Sequence, residues 1–272
     1  MSKTPLLFAG WLLLSASLIS PLWICHAELQ PPPDADLQAV QAWLQRPEAD
    51  LDLGEVKLAI DKRVEPRIDL DATRGRLDAI AGQVLEMLPP APTRHERFEA
   101  LHAYLYRAGD WNGQRPFLRA TDDPGCRDIA TKLLATHLVT RRGNCVSMAM
   151  LVTIVGQRLG LDISLATSPQ QLGVLYRDEG GVLRILDPAS GELKADTPRP
   201  RGAAPVTALR ALTRRESAVF AAQLLVENLA RLPGQESRRA ALAELLRAND
   251  PRHVAMQPAA PTAQVAQRER VR

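Results

Sequence analysis

The chain has 272 residues, of which 46% are hydrophobic, 24% are charged and 4% are aromatic. Its 34 Lys and Arg residues nearly balance 31 Asp and Glu residues, which leaves a net charge of +3. This balance and the scattered apolar residues exclude a disordered chain, a collagen and a multi-span membrane protein, and they argue against nucleic-acid binding. The three cysteines are too few for a disulfide scaffold, and the length suits one large or two small domains.

The first 27 residues have the features of a secretory signal peptide. One charge, at Lys3, is followed by an apolar run from Leu6 to Ile24 and by small residues at positions 25 and 27. We expect cleavage after Ala27, a periplasmic or secreted mature protein and no membrane span in it. If the segment is not cleaved, the apolar run approaches the length of a bilayer-spanning helix and anchors the chain in the membrane.

Residues 28–92 have a mainly helical pattern. A stiff linker containing Pro31-Pro32-Pro33 precedes a short helix within residues 28–50. Apolar residues recur at helical spacing over residues 51–88, with a break at Pro66. The run from Leu88 to Pro92 contains three prolines and ends the pattern, so we expect a helical N-terminal region over residues 51–92.

The centre of the chain is predicted to hold three helices and one irregular segment. A helix from Thr93 to Arg107 is followed by a stretch rich in Gly, Pro, Asp and Asn from Gly109 to Cys126. Apolar residues at helical spacing then predict one helix on each side of the polar turn Arg141-Arg142-Gly143-Asn144. The second of these helices begins at Cys145 and stops at Gly160.

The pattern changes from helix to strand after residue 160 and then returns to helix. Short aliphatic and β-branched runs predict strands at Ile163–Thr167, Leu172–Arg177 and Val182–Leu186, the last two joined by a hairpin loop at residues 178–181. Two helices, Ala218–Leu232 and Arg238–Asn249, predict an antiparallel pair within residues 207–253. Residues 254–272 lack apolar periodicity and are expected to be disordered. This order of helices, strands and helices predicts an α+β protein.

Cys145 stands at a predicted helix start, where a thiol is most easily activated. Unpaired backbone N–H groups and the helix dipole stabilise a thiolate and lower a thiol pKa from its usual value of about 8.5. The same N–H groups are suited to stabilising the oxyanion that forms when a carbonyl is attacked. The segment Gly143-Asn144-Cys145-Val146-Ser147 is therefore a candidate nucleophile turn.

This turn, the helix ending in Gln157-Arg158-Leu159-Gly160 and the strands after it resemble the transglutaminase-like core of the bacterial SirB type. The resemblance covers roughly residues 51–253, and its downstream part, with Asn228-Leu229-Ala230 and Asn249-Asp250-Pro251, is similar to a tetratricopeptide-like tail. It implies a transglutaminase-like (papain-like) core over residues 93–200, with a helix-start cysteine and a short antiparallel sheet. The N-terminal helices and the C-terminal helical pair flank that core.

The resemblance also implies a set of site residues. In the wider superfamily a helix-start cysteine is the nucleophile, a histidine on the next strand is the base, and an aspartate on the strand after it orients the histidine. Cys145 matches the nucleophile, Asp187 matches the orienting acid, and Gln171 stands at the histidine position. Because glutamine does not take up a proton near neutral pH, Gln171 cannot act as the general base.

Other roles for these residues remain open. His137, eight residues before Cys145, is a candidate replacement base, although a place on the helix surface or a capping role is the commoner one for such a histidine. Cys126 is the other cysteine left after signal cleavage, so Cys145 is disulfide-bonded to it, a free inert thiol or a functional thiol. Asp187 precedes Pro188 and also fits a turn residue at a strand end.

Two functions from different classes follow. The first is a degenerate transglutaminase-like protein that acts as a binding or scaffold module for a peptide or protein. The second is an active cysteine hydrolase or acyltransferase on amide bonds, with Cys145 as nucleophile, Asp187 as orienting acid and a non-standard base such as His137. We expect no cofactor and no metal, because the sequence has no HExxH, GxxxxGK[ST] or GxSxG motif and no cluster of metal ligands.

Overall fold

The computed structural model describes residues 35–123, 125–168, 171–195 and 209–250. Its helices are α1 (Ala35–Leu44), α2 (Leu53–Val64), α3 (Leu70–Glu86), α4 (Arg94–Tyr106), α5 (Leu134–Thr140), α6 (Cys145–Arg158), α7 (Arg214–Leu229) and α8 (Glu236–Asn249). Its strands are β1 (Leu118–Arg119), β2 (Arg142–Gly143), β3 (Asp162–Thr167), β4 (Leu172–Arg177), β5 (Leu183–Leu186), β6 (Leu193–Ala195) and β7 (Arg210–Ala211). The predicted signal peptide, the three-proline linker and the predicted disordered tail lie outside the described residues.

The main sheet is antiparallel and has the strand order β6-β5-β4-β3-β7. In its centre, Leu165 of β3 lies opposite Val174 of β4. The hairpin between β4 and β5 turns at the predicted loop, where Asp178 Oδ1 accepts a hydrogen bond of 2.9 Å from the Val182 N–H. Gly181 in this loop has a left-handed φ of 77°, which glycine adopts without steric cost.

A second, two-stranded sheet joins the irregular segment after α4 to the turn before α6. Its strands β1 and β2 are parallel, with Leu118 opposite Arg142 and Arg119 opposite Gly143. This pairing brings the chain on the C-terminal side of β1 close to the start of α6.

Helix α6 forms the centre of the core. Every residue from Ser147 to Gly156 is buried, because the helix packs against β3 and β4 and also against the helices α2 to α5. A Cβ atom at Gly156 would lie only 2.9 Å from Cγ2 of Ile163, so the glycine allows α6 to lie close to β3. The position of Cys145, at the first turn of α6, is therefore fixed by the packing of the whole core.

The first and last helices share this core. Helix α7 packs on α2, α8 packs on α7, and α1 contacts both α7 and α8. Asp36 of α1 accepts hydrogen bonds from Arg63 at 3.2 Å and from Arg238 at 3.1 Å, which join α1 to α2 and α8. No helix within the described ranges combines the length and the apolarity needed to cross a membrane.

The predicted α+β class is confirmed, and the predicted strands match β3, β4 and β5 to within one residue. The helix expected from Thr93 to Arg107 is α4, with Thr93 as its N-cap in a capping box with Glu96 and Arg107 as its C-cap. Helix α7 begins at Arg214, four residues before the predicted start, because Thr213 caps it. The pattern does not reveal β6 and β7, which have only three and two residues.

The helix predicted before the polar turn Arg141-Arg142-Gly143-Asn144 has apolar residues at helical spacing from Ile129 to Leu138 but begins only at Leu134. Residues 130–132 form a 3-10 turn, Leu133 is extended, and α5 starts at Leu134. Asp61 of α2 accepts a hydrogen bond of 2.7 Å from the Leu134 N–H, so a carboxylate distant in sequence sets this helix start.

Candidate functional site

The turn before α6 is held by the small parallel sheet. The Leu118 N–H donates to the Arg141 carbonyl and the Ala120 N–H donates to the Gly143 carbonyl, both at 2.8 Å. Arg141 has a left-handed φ of 57°. At Gly143 an added Cβ would lie 2.3 Å from Ser147 Oγ and 2.8 Å from the His137 ring, so only glycine fits this close approach.

Asn144 caps α6 and fixes the orientation of its first turn. Its Oδ1 accepts hydrogen bonds from the Val146 N–H at 2.9 Å and the Ser147 N–H at 3.2 Å. Its backbone N–H donates to Ser147 Oγ at 3.1 Å, which completes a capping box. The capping side chains are in turn held by Thr131, whose Oγ1 accepts from Asn144 Nδ2 at 3.0 Å and whose carbonyl accepts from Ser147 Oγ at 2.7 Å.

Cys126 lies directly against Cys145. Both are free, half-buried thiols, and their Sγ atoms are 3.2 Å apart. Cys126 lies in a loop that Asp123 organises by accepting hydrogen bonds from the Arg127 N–H at 2.7 Å and from Thr131 Oγ1 at 2.8 Å. Thr131 thus holds both the Cys126 loop and the Cys145 turn, so the two sulfurs are kept in contact from both sides.

The surroundings of the two sulfurs favour a thiolate at Cys126 over one at Cys145. The hydrogen bond with the Cys145 thiol lowers the pKa of Cys126 to about 6, against the opposing effect of burial. The Cys145 backbone N–H and the charge of Arg119 act in the same direction as that hydrogen bond. The pKa of Cys145 is raised, because its thiol hydrogen-bonds to Cys126 and is buried. The activation of Cys145 by the helix start stays a prediction, and the directions of these two shifts favour Cys126 as the thiolate.

The N–H groups at the start of α6 already have acceptors. The Cys145 N–H stabilises the Cys126 sulfur, and the next two are bonded to the Asn144 side chain. An oxyanion at this turn would have to displace one of these acceptors. The sequence pattern cannot predict this arrangement, because it depends on how the Cys126 loop folds back; the only signal is that Cys126 and Cys145 are the two cysteines outside the predicted signal peptide.

Asp187 stabilises the turn after β5. Its Oδ1 accepts a hydrogen bond of 2.9 Å from the Ala189 N–H, and its carbonyl accepts one of 2.8 Å from the Gly191 N–H. In the β4–β5 ladder Val174 pairs with Leu186, the residue before Asp187, so Asp187 directly follows the end of this ladder. A Cβ at Gly173 would lie 2.8 Å from Cδ1 of Leu209.

Gln171 lies in the turn between β3 and β4 and is exposed. Its carbonyl accepts a hydrogen bond of 2.9 Å from the Ser168 N–H, and its own N–H donates to the Ser168 carbonyl at 3.3 Å. Within the described residues, no hydrogen bond joins Cys145 to either Gln171 or Asp187. Of the three candidate residues, only Cys145 lies at the capped turn.

His137 is completely buried, so the expectation of a surface histidine is wrong. Burial lowers its pKa to about 4, against the opposing effect of a backbone hydrogen bond at Ser147. Its ring packs edge-on against Phe117 with centroids 5.2 Å apart. His137 therefore lies beside the Gly143 turn as a neutral core residue, and it is not hydrogen-bonded to Cys145.

His102 belongs to the part of the structure around Asp187. Its Nε2 is 2.7 Å from the Gly191 carbonyl, and the neighbouring Tyr106 hydroxyl donates to the Pro188 carbonyl at 3.0 Å. These contacts fasten the turn after β5 to α4. Among the described residues there is no group of three or more His, Cys, Asp and Glu side chains that fits a metal ion.

Residues 71–197 match the model of the transglutaminase-like superfamily, a range that includes Cys126, Cys145, Gln171 and Asp187. A search of the curated proteins found no match, and neither did a search of the solved structures. Over residues 71–197 the chain thus has a transglutaminase-like domain.

Proposed function

We propose that this chain is a transglutaminase-like protein whose catalytic apparatus is degenerate and which acts as a binding or scaffold module for a peptide or protein. The position of Cys126 carries this proposal. Its sulfur lies 3.2 Å from that of Cys145 and is stabilised by the Cys145 thiol and backbone N–H. Cys126 therefore occupies the nucleophilic thiol and the N–H donor of Cys145, which a substrate carbonyl would need in acyl transfer.

The chemistry of cysteine acyl transfer supports this conclusion. Such a reaction needs a nucleophilic thiolate, a base that takes and returns a proton, and donors for the oxyanion. The hydrogen bond to Cys126 and burial raise the pKa of Cys145 and so favour its protonated thiol, and Gln171 does not exchange a proton near neutral pH. The loss of one member of a catalytic triad alone costs several orders of magnitude in rate.

The surface next to the cysteine turn favours a peptide or protein ligand. Leu118 of β1 is 52% exposed, and Val139 near the end of α5 is 58% exposed. Arg142, which lies opposite Leu118 in the small sheet, is also exposed. Apolar and basic side chains close to a sheet of only two strands are suited to a peptide that offers apolar and acidic side chains.

The same proposal includes the cellular location and the domain organisation of the protein. We place the protein in the periplasm or outside the cell after removal of residues 1–27, or at the membrane if that segment is retained. We assign it to the SirB type, with helices at residues 51–92 before the core at 93–200. The tetratricopeptide-like pair at 207–253 follows, and its helices α7 and α8 pack on one another.

One observation favours the alternative, an active cysteine hydrolase or acyltransferase with Cys145 as nucleophile. Cys145 is the first residue of a well-capped helix in a transglutaminase-like domain. The alternative lacks a base, because His137 is buried and makes no hydrogen bond to Cys145. The binding module is therefore the better-supported function.

A transamidation and hydrolysis assay tests the loss of catalysis. The reduced protein and its Cys145→Ala variant are compared on a glutamine-containing peptide with a labelled amine as acceptor. We expect equal rates for the two proteins, because Cys145 has neither a base nor a free oxyanion site. A rate for the wild type at least tenfold above that of the variant would establish the enzyme and overturn the proposal.

Peptide selection tests the binding role. Peptides selected from a random library on the wild type are titrated against Leu118→Glu, with Leu85→Glu as a control at another exposed leucine. We expect at least a tenfold loss of affinity for Leu118→Glu and none for the control. Equal affinity for both variants, or the recovery of no binding peptide, counts against a peptide-binding surface beside the cysteine turn.

A further inference from the structure

The contact between Cys126 and Cys145 also places the two sulfurs close enough to form a disulfide bond with little movement. The two sulfurs are 3.2 Å apart, and a disulfide bond is about 2.05 Å long, so they need to approach by only about 1 Å. The two cysteines come from separate elements, the loop after β1 and the first turn of α6. The hydrogen bonds of Thr131 to both elements hold them in this position.

We propose that Cys126 and Cys145 form a thiol–disulfide exchange site, which takes a small-molecule disulfide such as oxidised glutathione or cystine as its oxidant and closes reversibly into a Cys126–Cys145 disulfide. A binding module and a hydrolase can each carry such a site, so the site is separate from the proposed function.

The reaction proceeds in two displacements. The Cys126 thiolate attacks one sulfur of the disulfide RSSR, forms a mixed disulfide and releases RS⁻, which keeps the electron pair of the broken S–S bond. Cys145 gives up its proton to RS⁻, and its sulfur attacks Cys126 and displaces the second RS⁻, which takes a proton from solvent. The two cysteine thiols are oxidised to a disulfide, and RSSR is reduced to two RSH.

The surroundings divide the two roles between the cysteines. Cys126 is the attacking residue because its sulfur accepts a hydrogen bond from the Cys145 backbone N–H, which favours its thiolate. Arg119 adds positive potential at both sulfurs. Cys145 is the resolving residue, since its protonated sulfur already touches that of Cys126.

Closing the disulfide changes the site itself. The bond joins the Cys126 loop covalently to the start of α6, between elements that Thr131 already connects by hydrogen bonds. Cys145 is then unavailable to any electrophile. The site thus has an open dithiol form and a closed disulfide form, set by the thiol–disulfide balance of the surroundings.

The test follows the products of oxidation in the full chain with Cys25→Ser, so that the third cysteine does not take part. This protein and its C126S and C145S variants are treated with oxidised glutathione at pH 7, and the products are mapped by mass spectrometry. We expect the parent to give a Cys126–Cys145 linked peptide without a lasting glutathione adduct, reversed by dithiothreitol. The C145S variant should keep glutathione on Cys126, because no resolving thiol remains.

Two outcomes would overturn the proposal. One is a glutathione adduct that persists on Cys126 in the protein that retains Cys145. The other is the absence of the linked peptide at every ratio of oxidised to reduced glutathione. The absence of a glutathione adduct on Cys126 in C145S would overturn the assignment of Cys126 as the attacking thiol. If a serine variant does not fold, the corresponding alanine variant is used, and the linked peptide of the parent decides in either case.

Discussion

The sulfur of Cys126 lies at the start of α6, where a cysteine hydrolase would stabilise the oxygen of its substrate. The two thiols share one hydrogen bond, and Arg119 adds positive potential at both sulfurs. The backbone N–H of Cys145 is bonded to the sulfur of Cys126, so this helix-start donor favours a thiolate at Cys126. The position of Cys126 therefore bears on which of the two cysteines reacts.

The buried imidazole of His137 gives the protein a pH-dependent stability. Its pKa is about 4 in the folded state and about 6.5 in an unfolded chain, so the unfolded state binds more protons below pH 6.5. The contribution of neutral His137 to the free energy of unfolding is thus fully present above pH 6.5. It is lost as the pH drops towards 4, and the loss is about 3 kcal/mol at most. Urea unfolding of the wild type and of His137→Leu between pH 4 and 8 measures this component.

We expect the free energy of unfolding of the wild type to fall relative to that of His137→Leu as the pH decreases from 8 to 4. A constant difference across the range would mean that His137 does not stay neutral in the folded protein.

At the level of elements, a buried ion pair connects α2 to the segment that carries the site. Lys57 and Asp61 are 1% and 0% exposed and are paired with each other, and the Lys57 ammonium also donates to the Lys132 carbonyl at 3.0 Å. Asp61 accepts from the Leu134 N–H, and Lys132 pairs with Glu227 of α7. These contacts fix residues 132–134, directly after Thr131, which holds the cysteine turn.

Removal of one partner of this pair is expected to destabilise the protein strongly. Asp61→Asn leaves the Lys57 charge buried without a counter-charge, at a cost of about 3 kcal/mol or more. The double variant Lys57→Met/Asp61→Asn should recover most of this loss, because no uncompensated charge remains. Chemical denaturation of the single and double variants measures both values.

The exposed pair of Glu55 and Arg74 provides the control. Glu55→Gln should cost no more than about 1 kcal/mol, as is usual for surface ion pairs. An equal effect of Asp61→Asn and Glu55→Gln would show that burial does not govern the Lys57–Asp61 pair.

For the whole molecule, the sequence predicts the elements better than the contacts between them. The strands β3 to β5 and the helices α4 and α6 follow from local periodicity and caps, so their bounds are close to those predicted. The burial of His137 and the contact of Cys126 with Cys145 depend on how the loop after β1 and the short helix α5 fold onto α6. No local pattern reports such long-range packing.

The contacts of the cysteine pair favour a thiolate at Cys126 over one at the helix-start Cys145. Alkylation of the reduced Cys25→Ser protein by iodoacetamide from pH 4 to 10, mapped to each cysteine by mass spectrometry, measures which sulfur carries the charge. We predict that modification begins at Cys126 with an apparent pKa of about 6 and that Cys145 is modified only at higher pH. Modification that begins at Cys145 with an apparent pKa below 7 would place the reactive thiolate on the helix-start residue and overturn the assignment to Cys126.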